Sequence, residues 1–481
     1  MAKINVIPIV ETLAADLLTP LAVYLKLAES GDSFLLESVQ GGETVARYSF
    51  IGCDPQFSIH GGQNGVTYVF NDGRRRFTAQ PMFEVLREHF EKYAITQVDG
   101  LPSFAGGAIG AMDFSCSAWF EPKLRECIAP SDDESAFMFC RSIIAFDHAR
   151  QIIKIVSLVF EDEIAPDKTL QQLCDEAADR NRAIRFRLEN DSIRLPRREQ
   201  FSASSSVSNF TRSEFENAVR TAKECIAAGD AYQIVLSQCF TRPTMASHIS
   251  IYRAIRSLNP SPYMFLIKLG QKYLIGASPE MLVRCTGSIA EYRPIAGTRP
   301  RGSTPEEDTL FAQEMAADAK ELAEHMMLVD LGRNDLGRVA AFGSVHVDSL
   351  MKIEKYSHVQ HLVSCLSAKL SDGKDRFDAL ASCFPAGTVS GAPKVSAIQI
   401  IDRLEPSPRG IYSGAVGYFD YAGNMDMCIA IRTMSLQDGI AKIQAGAGIV
   451  ADSDPSAEYR ETINKAAGLL RAIDIAERGD L

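Results

Sequence analysis

No stretch of this 481-residue sequence reaches about 18 consecutive apolar residues, so no membrane-spanning helix is expected. No Cys-x-x-Cys pair occurs among the 11 cysteines, which lie scattered along the chain. They read as small buried hydrophobes in a reducing compartment, with neither a zinc site nor a disulfide framework. Positive charge is in short supply: the net charge of -11 leaves no basic field to grip a phosphate backbone or an anionic bilayer. Nucleic acid and membrane are therefore not expected as partners. An anionic substrate would need local devices: a bound cation, a few aimed Arg or Lys, or clustered backbone amides. The opening MAKINVIPIVETLAADLL carries Glu11 and Asp16 through its apolar stretch and builds no signal-peptide core, so a cytoplasmic protein is expected. The Gly-x-x-x-x-Gly-Lys-Ser/Thr phosphate loop and the Gly-x-Ser-x-Gly nucleophile elbow are both missing.

The composition that is present, 46% hydrophobic and 23% charged, is that of a soluble globular protein with room for two or more domain-sized units. The stretch from Asn190 to Asn209 is rich in Ser and charge and poor in apolar residues, which marks an exposed connection. It divides the chain into an N-terminal unit at 1–190, a linker at 191–209 and a second unit at 210–481. Before the linker, alternating apolar runs such as SFLLESV and IIKIVSLVF surround helical patterns such as Met82 to Tyr93. After it, Thr211 and Glu214 form a capping box ahead of Phe215, Val219, Ala222 and Ile226 at helical spacing, with Gly229 as the stop. Strand-like runs follow, interrupted by helices near Leu310 to Val329 and Pro455 to Ile475. Many strands with few regularly interposed helices favour an α+β fold built on a large antiparallel sheet.

Two helical segments each carry carboxylates three residues apart, Glu321 with Glu324 and Glu458 with Glu461, and Lys465 extends the second face. Either pair alone reads as a solvated helix face. Facing each other, the pairs make an oxygen-rich anionic pocket suited to a hard cation such as magnesium. Gly446, Gly448 and Ala451 superficially match a dinucleotide fingerprint, but the next helix begins only near Pro455. The stretch reads instead as a glycine-rich turn, either bringing amides to a small anion or simply ending a strand. FPAGTVSGAPK, from Phe384 to Lys394, reads as a capped helix start whose amides can also receive an anion. His358 and His361 are both candidate general bases, and their residue type alone does not choose between them. Arg432, flanked by apolar residues in CIAIRTM, either ends a sheet face in solvent or aims at a carboxylate.

Taken together, PIAGTRPRG, ELAEHMMLVDLGRND, HVQHLVS, FPAGTVSGAPK, IYSGAVGY, IAIRTM, QAGAGIV and EYRETINKA resemble the chorismate-utilising enzyme family, most closely its anthranilate synthase branch. The resemblance runs over nearly the whole chain in the family's order. It implies a two-layer antiparallel α+β fold with flanking helices and a magnesium-dependent lyase that makes anthranilate from chorismate and ammonia. Magnesium would be held chiefly by Glu324 and Glu461, with Glu321 and Glu458 supporting through water. Tyr412 and Arg432 would bind the enolpyruvyl carboxylate, and the amides of Gly446, Ala447 and Gly448 the ring carboxylate. Gly297, Thr298 and Thr388 would complete the pocket, Lys465 would balance charge, Glu321 would be the general acid and His361 the base. Glu37 and Ser38 in LLES, with Pro262, Tyr263 and Met264 in NPSPYMF, resemble the family's tryptophan feedback site.

Two departures bear on the resemblance. Ala296 stands where the aminodeoxychorismate synthase branch usually has lysine, which favours the anthranilate branch. Ala111 and Met112 stand after Gly110 where the family commonly shows Gly-Tyr, which concerns the N-terminal surface for a partner subunit. No Gly-x-Cys-x-Gly glutaminase motif occurs, so a separate glutamine amidotransferase subunit is implied as the ammonia source. The alternatives are a relative that stops at the aminated intermediate, an isochorismate or salicylate synthase using water, and a tryptophan-binding regulatory protein without activity.

Overall fold

The computed structural model describes residues 3–28, 31–38, 47–129, 135–193, 195, 201, 204–356 and 359–480. Its strands form a 13-stranded and a 12-stranded sheet. Pairing is antiparallel except between Ile4–Ala14 and Tyr93–Ile95. Strand alternation explains the layering. In Tyr263–Leu269, Phe265, Ile267 and Leu269 point into a core between the sheets, against Ile109, Met138 and Val416 of the second sheet. Met264 and Leu266 point the other way, into a cluster with Tyr252, Ile255, Leu469 and Ile473 on covering helices. A third cluster packs Val329, Leu336, Phe377 and Leu380 on the outer face of the second sheet. Both sheets are thus apolar on two faces, which is why their strands read as runs such as YMFLIKL. This is the expected two-layer sheet core with flanking helices. Among the described residues no helix is long and apolar enough to cross a membrane.

The segments on either side of 191–209 complete each other's sheets. Ser33–Glu37 lies between Tyr48–Cys53 and Tyr263–Leu269, and Gly107–Met112 pairs with Ala415–Asp420. The linker therefore divides the sequence and not the hydrogen bonding. The capping box at Thr211 and Glu214 forms and opens the Arg212–Ala227 helix. The pattern from Leu310 to Val329 is two helices, Pro305–Ala317 and Ala319–Gly337. Asp318 ends the first and caps the second by accepting from the Lys320 and Glu321 amides.

Two crossings between the sheets lie side by side. Lys272–Ser278 ends in the larger sheet and Met281–Thr286 begins in the smaller; Met425–Ile429 and Thr433–Gln437 make the reverse step. Glu280 lies in the first crossing and Arg432 in the second. The Ile429 amide donates to the Glu280 carbonyl at 3.1 Å, and the Ala277 amide to the Arg432 carbonyl at 3.1 Å.

Candidate active site

Both carboxylate pairs sit near helix starts. Asp318 caps Ala319–Gly337, with Glu321 in its first turn; Asp454 caps Pro455–Arg478, with Glu458 in its first turn. The two faces meet in one field. Burial pushes the Glu324 carboxyl up, and the charges of Glu321, on its own helix, and Glu461, on the other, push it further. Burial likewise raises Glu458, with Glu461 adding and Lys320, from the other helix, opposing. Glu324 is exposed to solvent, so the space between the two carboxylate faces is an open cleft. Glu321 takes a 2.8 Å bond from Arg299, and Glu461 a 2.7 Å bond from Lys465. Among the described residues no three His, Cys, Asp or Glu groups close on one point as a preassembled metal site would. The donor chemistry nevertheless fits a hard divalent cation: carboxylate oxygens, crowded and mutually repelling, with Glu324 and Glu458 left without a cationic hydrogen-bond partner among the described residues.

On one side of this cleft lies the Ile295–Pro300 strand. Gly297 takes φ +64° at a register shift between Ala296 and Thr298, and a Cβ there would come within 2.7 Å of Glu321 Oε2. His361 sits opposite on Val359–Lys369, its Nδ1 3.0 Å from the Gly297 carbonyl and 3.0 Å from Thr298 Oγ1. A carbonyl only accepts, so Nδ1 carries the proton and Nε2 presents a lone pair. Burial lowers the His361 pKa, and the Arg432 charge lowers it further, so the ring is neutral at neutral pH. His358 lies outside the described residues.

On the other side is a cavity of about 550 Å³ lined by Asn259, Arg432, Arg460, Glu461, Asn464 and Lys465, among others. Arg432 is strained and exposed to the cavity: its φ is +47°, solvent reaches it, and protein still surrounds it closely enough that burial alone lowers its pKa. Its guanidinium has no hydrogen-bond or ion-pair partner among the described residues. A cation beside a cavity without a counter-charge is a receptor for an anion.

Gly446, Ala447 and Gly448 do not form the expected turn; they lie inside the Ile440–Ile449 strand. Glycine is required at Gly446, where a Cβ would come within 2.6 Å of Tyr412 Oη and 2.9 Å of the Leu236 carbonyl oxygen, whereas a Cβ at Gly448 would meet only the movable end of Gln233. Gly446 and Gly448 face Ser237 and Val235 across the ladder. Ser237 N–H donates to Glu405 and Val235 C=O accepts from Arg409, both off the far edge. These are therefore the non-hydrogen-bonded pairs of the ladder, and both glycines turn N–H and C=O toward the opposite edge. That edge is open, since Thr433–Gln437 pairs only as far as Ile443. The Gly446 carbonyl uses it to accept from Lys465 Nζ at 3.0 Å. Ala447 alternates with the glycines, so its amide belongs to the ladder and its side chain to the core beneath. Of the three amides expected to bind an anion, that of Gly448 is turned to the open edge, that of Gly446 is turned there too but is engaged by the Tyr412 hydroxyl, and that of Ala447 is not presented. Tyr412 is buried, its hydroxyl pushed up to about 12 mainly by burial.

Sequence reasoning missed Glu280. Burial pushes its carboxyl up to about 8, so it holds a proton at neutral pH; Thr388 is the neighbour that opposes the shift. Glu280 Oε1, Thr388 Oγ1 and Tyr292 Oη are all buried, and beyond the Glu280–Thr388 approach none has a hydrogen-bond partner among the described residues. Unsatisfied polar atoms gathered in one place mark where a ligand or water belongs. The signal was available: Glu280 in ASPEML is a charge beside an apolar run, the same pattern that drew attention to Arg432.

A second cavity, of about 380 Å³, lies between the sheets and brings together Glu37, Ser38, Pro262, Tyr263 and Met264. Glu37 is held by Arg256 at 3.3 Å, and Tyr263 Oη donates to Asp426 at 3.1 Å. Ser38 Oγ is buried with no partner among the described residues.

The sequence profile of the chorismate binding enzyme family matches residues 31–471. The chain is 42% identical to anthranilate synthase component 1 of Acetivibrio thermocellus, covering 99% of this chain and 97% of that one. The crystal structure of anthranilate synthase component I from Streptococcus pneumoniae superposes with a TM-score of 0.74 at 32% identity, over 95% of this chain and 99% of that chain. The menaquinone-specific isochorismate synthase of Escherichia coli superposes with a TM-score of 0.72 over 98% and 95% of the two chains; at 20% identity it speaks to the fold alone. With near-complete coverage in sequence and in structure, this chain belongs to the chorismate binding enzyme family, alongside the anthranilate synthase component 1 proteins.

Proposed function

We propose that this chain is the large subunit of a cytoplasmic anthranilate synthase, converting chorismate and ammonia to anthranilate, pyruvate and water. The observation that carries the reading is the meeting of two acidic helix faces near an unpaired Arg432 and the open strand edge at Gly446 and Gly448. One cleft thus offers cation-binding and carboxylate-binding groups side by side. Chorismate, a ring carrying two carboxylates, is complementary to that arrangement. Arg432 suits the enolpyruvyl carboxylate with Tyr412 beside it, and the Gly446 and Gly448 amides suit the ring carboxylate.

Glu324 and Glu461 are the groups to hold Mg2+, with Glu321 and Glu458 supporting through water. The ion, when bound, would supply positive charge against which the ring carboxylate is polarised. Lys465, already on Glu461 and the Gly446 carbonyl, ties the ion's helix to the carboxylate-binding strand.

Ammonia adds at C2 as the C4 hydroxyl departs, and hydroxide leaves only if protonated. Glu321 was the acid expected from the sequence, but it is tied to Arg299. Glu280 fits the role better, because burial keeps its carboxyl protonated at neutral pH beside Thr388. The product of this step is an aminated diene and water. His361 Nε2 then takes the C2 proton, the enolpyruvyl C–O bond breaks, and the ring becomes aromatic as pyruvate leaves. Ammonia would come from glutamine through a partner amidotransferase subunit. The cavity around Glu37, Ser38 and Tyr263 is the proposed tryptophan feedback site; its apolar slot between two sheets suits an indole, and its flanking charges suit an amino acid.

The test is incubation with chorismate, magnesium and ammonium, with products read by mass and anthranilate fluorescence. Equimolar anthranilate and pyruvate are expected. Isochorismate formed without regard to ammonium, or an aminated product without pyruvate, would overturn the assignment.

A further inference from the structure

We propose that the buried Arg409–Glu405 pair is the positioning centre of the substrate cavity, fixing three of its walls relative to one another and thereby setting chorismate affinity. The proposal rests on the functional reading above for the identity of those walls, and its geometry goes well beyond an ordinary ion pair. Both side chains are almost fully buried, at 2% and 3% exposure.

A guanidinium has five N–H donors, and here each has a partner. Two go to Glu405, from Nε at 2.9 Å and Nη2 at 2.6 Å. The other three reach three separate segments. Nη2 donates to the Val235 carbonyl at 2.6 Å, Nη1 to the Val389 carbonyl at 2.7 Å, and Nη1 to Ser413 Oγ at 3.1 Å. Each acceptor adjoins a residue assigned to substrate: Val235 lies across from Gly448, Val389 follows Thr388, and Ser413 follows Tyr412. The guanidinium also lies over the Tyr412 ring, 5.5 Å from its centroid.

Glu405 completes the arrangement. Its Oε1 accepts from both the amide and the hydroxyl of Ser237, each at 2.8 Å, and Ser237 lies across from Gly446. The pair therefore engages the outward groups of Val235 and Ser237, which keeps those two ladder positions non-hydrogen-bonded and the backbone groups of Gly446 and Gly448 turned to the opposite edge, where Tyr412 and Lys465 meet Gly446. Neither residue touches substrate in this scheme; both act through the walls they hold.

Two variants separate positioning from stability. Arg409→Lys keeps the charge and loses the five-donor fork. Ser237→Ala keeps the ion pair and removes one hydroxyl link. Chorismate KM and kcat at saturating ammonium and magnesium are compared with tryptophan affinity at the distant cavity and with Tm. Displacements of this kind in a site cost up to about a hundredfold. For Arg409→Lys the expected result is a KM rise of about tenfold or more, and for Ser237→Ala about threefold, with tryptophan affinity within about twofold of wild type. Wild-type KM and kcat per folded molecule in both variants, with only Tm lowered, would overturn the proposal. If Arg409→Lys does not fold, Ser237→Ala decides alone. Wild-type protein that neither binds nor turns over chorismate would instead defeat the functional reading and take this proposal with it.

Discussion

Replacing Arg432 by Gln should separate a binding group from a structural one, because the two roles move stability and affinity in different directions. In the free protein the guanidinium has no counter-charge among the described residues, and the protein around it disfavours its charge. Its removal should therefore leave Tm unchanged or raise it. With substrate present the sign reverses. A hydrogen bond between charged groups contributes roughly 1.5–3 kcal/mol, and a tenfold change in affinity corresponds to about 1.4 kcal/mol, so chorismate KM should rise about 10- to 150-fold. If the enolpyruvyl carboxylate is held equally in ground and transition states, kcat should change far less than KM. Steady-state anthranilate fluorescence against chorismate concentration, at saturating magnesium and ammonium, reads the first effect, and thermal unfolding without substrate reads the second. A variant with lowered Tm and unchanged KM would refute the reasoning, since Arg432 would then be serving the fold.

Glu280→Gln should lower kcat by about 100-fold or more and abolish a fall in rate as pH rises through about 8, because the proton donor is gone. Its stability signature has a definite sign. The folded carboxyl stays protonated above its ordinary 4.5, so folding binds a proton and wild-type stability declines as pH rises from 4.5 to about 8. Tm of the Gln variant, measured across that range, should lack this decline; a parallel decline in both proteins would remove Glu280 from the account. His361→Ala should accumulate the aminated intermediate, seen by mass, and unchanged anthranilate production would remove His361 from the mechanism. Ser38→Ala deletes a buried hydroxyl without a partner among the described residues, so it should weaken tryptophan inhibition about two- to tenfold, the worth of one neutral hydrogen bond, while uninhibited turnover stays at the wild-type level. Full sensitivity to tryptophan would move the feedback site elsewhere.

What could be read from the sequence was whatever depends on near neighbours. The start of the Arg212–Ala227 helix was legible because Thr211 and Glu214 cap each other three residues apart. The carboxylate spacing on both helices was legible for the same reason. The strand nature of QAGAG was not, because the atoms that demand glycine at Gly446, Tyr412 Oη and the Leu236 carbonyl oxygen, come from distant parts of the chain. The break at Asp318 carried a local signal, an Asp followed by Glu321, but it lay inside a pattern that read as one helix. The Ser-rich linker suggested separate units, whereas the sheets are assembled from strands on both sides of it, a matter of long-range pairing that composition does not record. Glu280 escaped because its chemistry comes from burial beside Thr388, and burial of a lone carboxyl is a property of the fold.

The central claim is that Glu324 and Glu461 share a single magnesium ion. Calorimetric titration of Mg2+ into the chorismate-bound protein tests it most directly, comparing wild type with Glu324→Gln, Glu461→Gln and the double variant. The account predicts one ion per wild-type chain, a loss of about 100-fold or more in affinity for each single variant, and little further loss in the double, because residues acting on one ion are not independent. Additive losses in the double variant, or an ion still bound with wild-type affinity in either single variant, would contradict it.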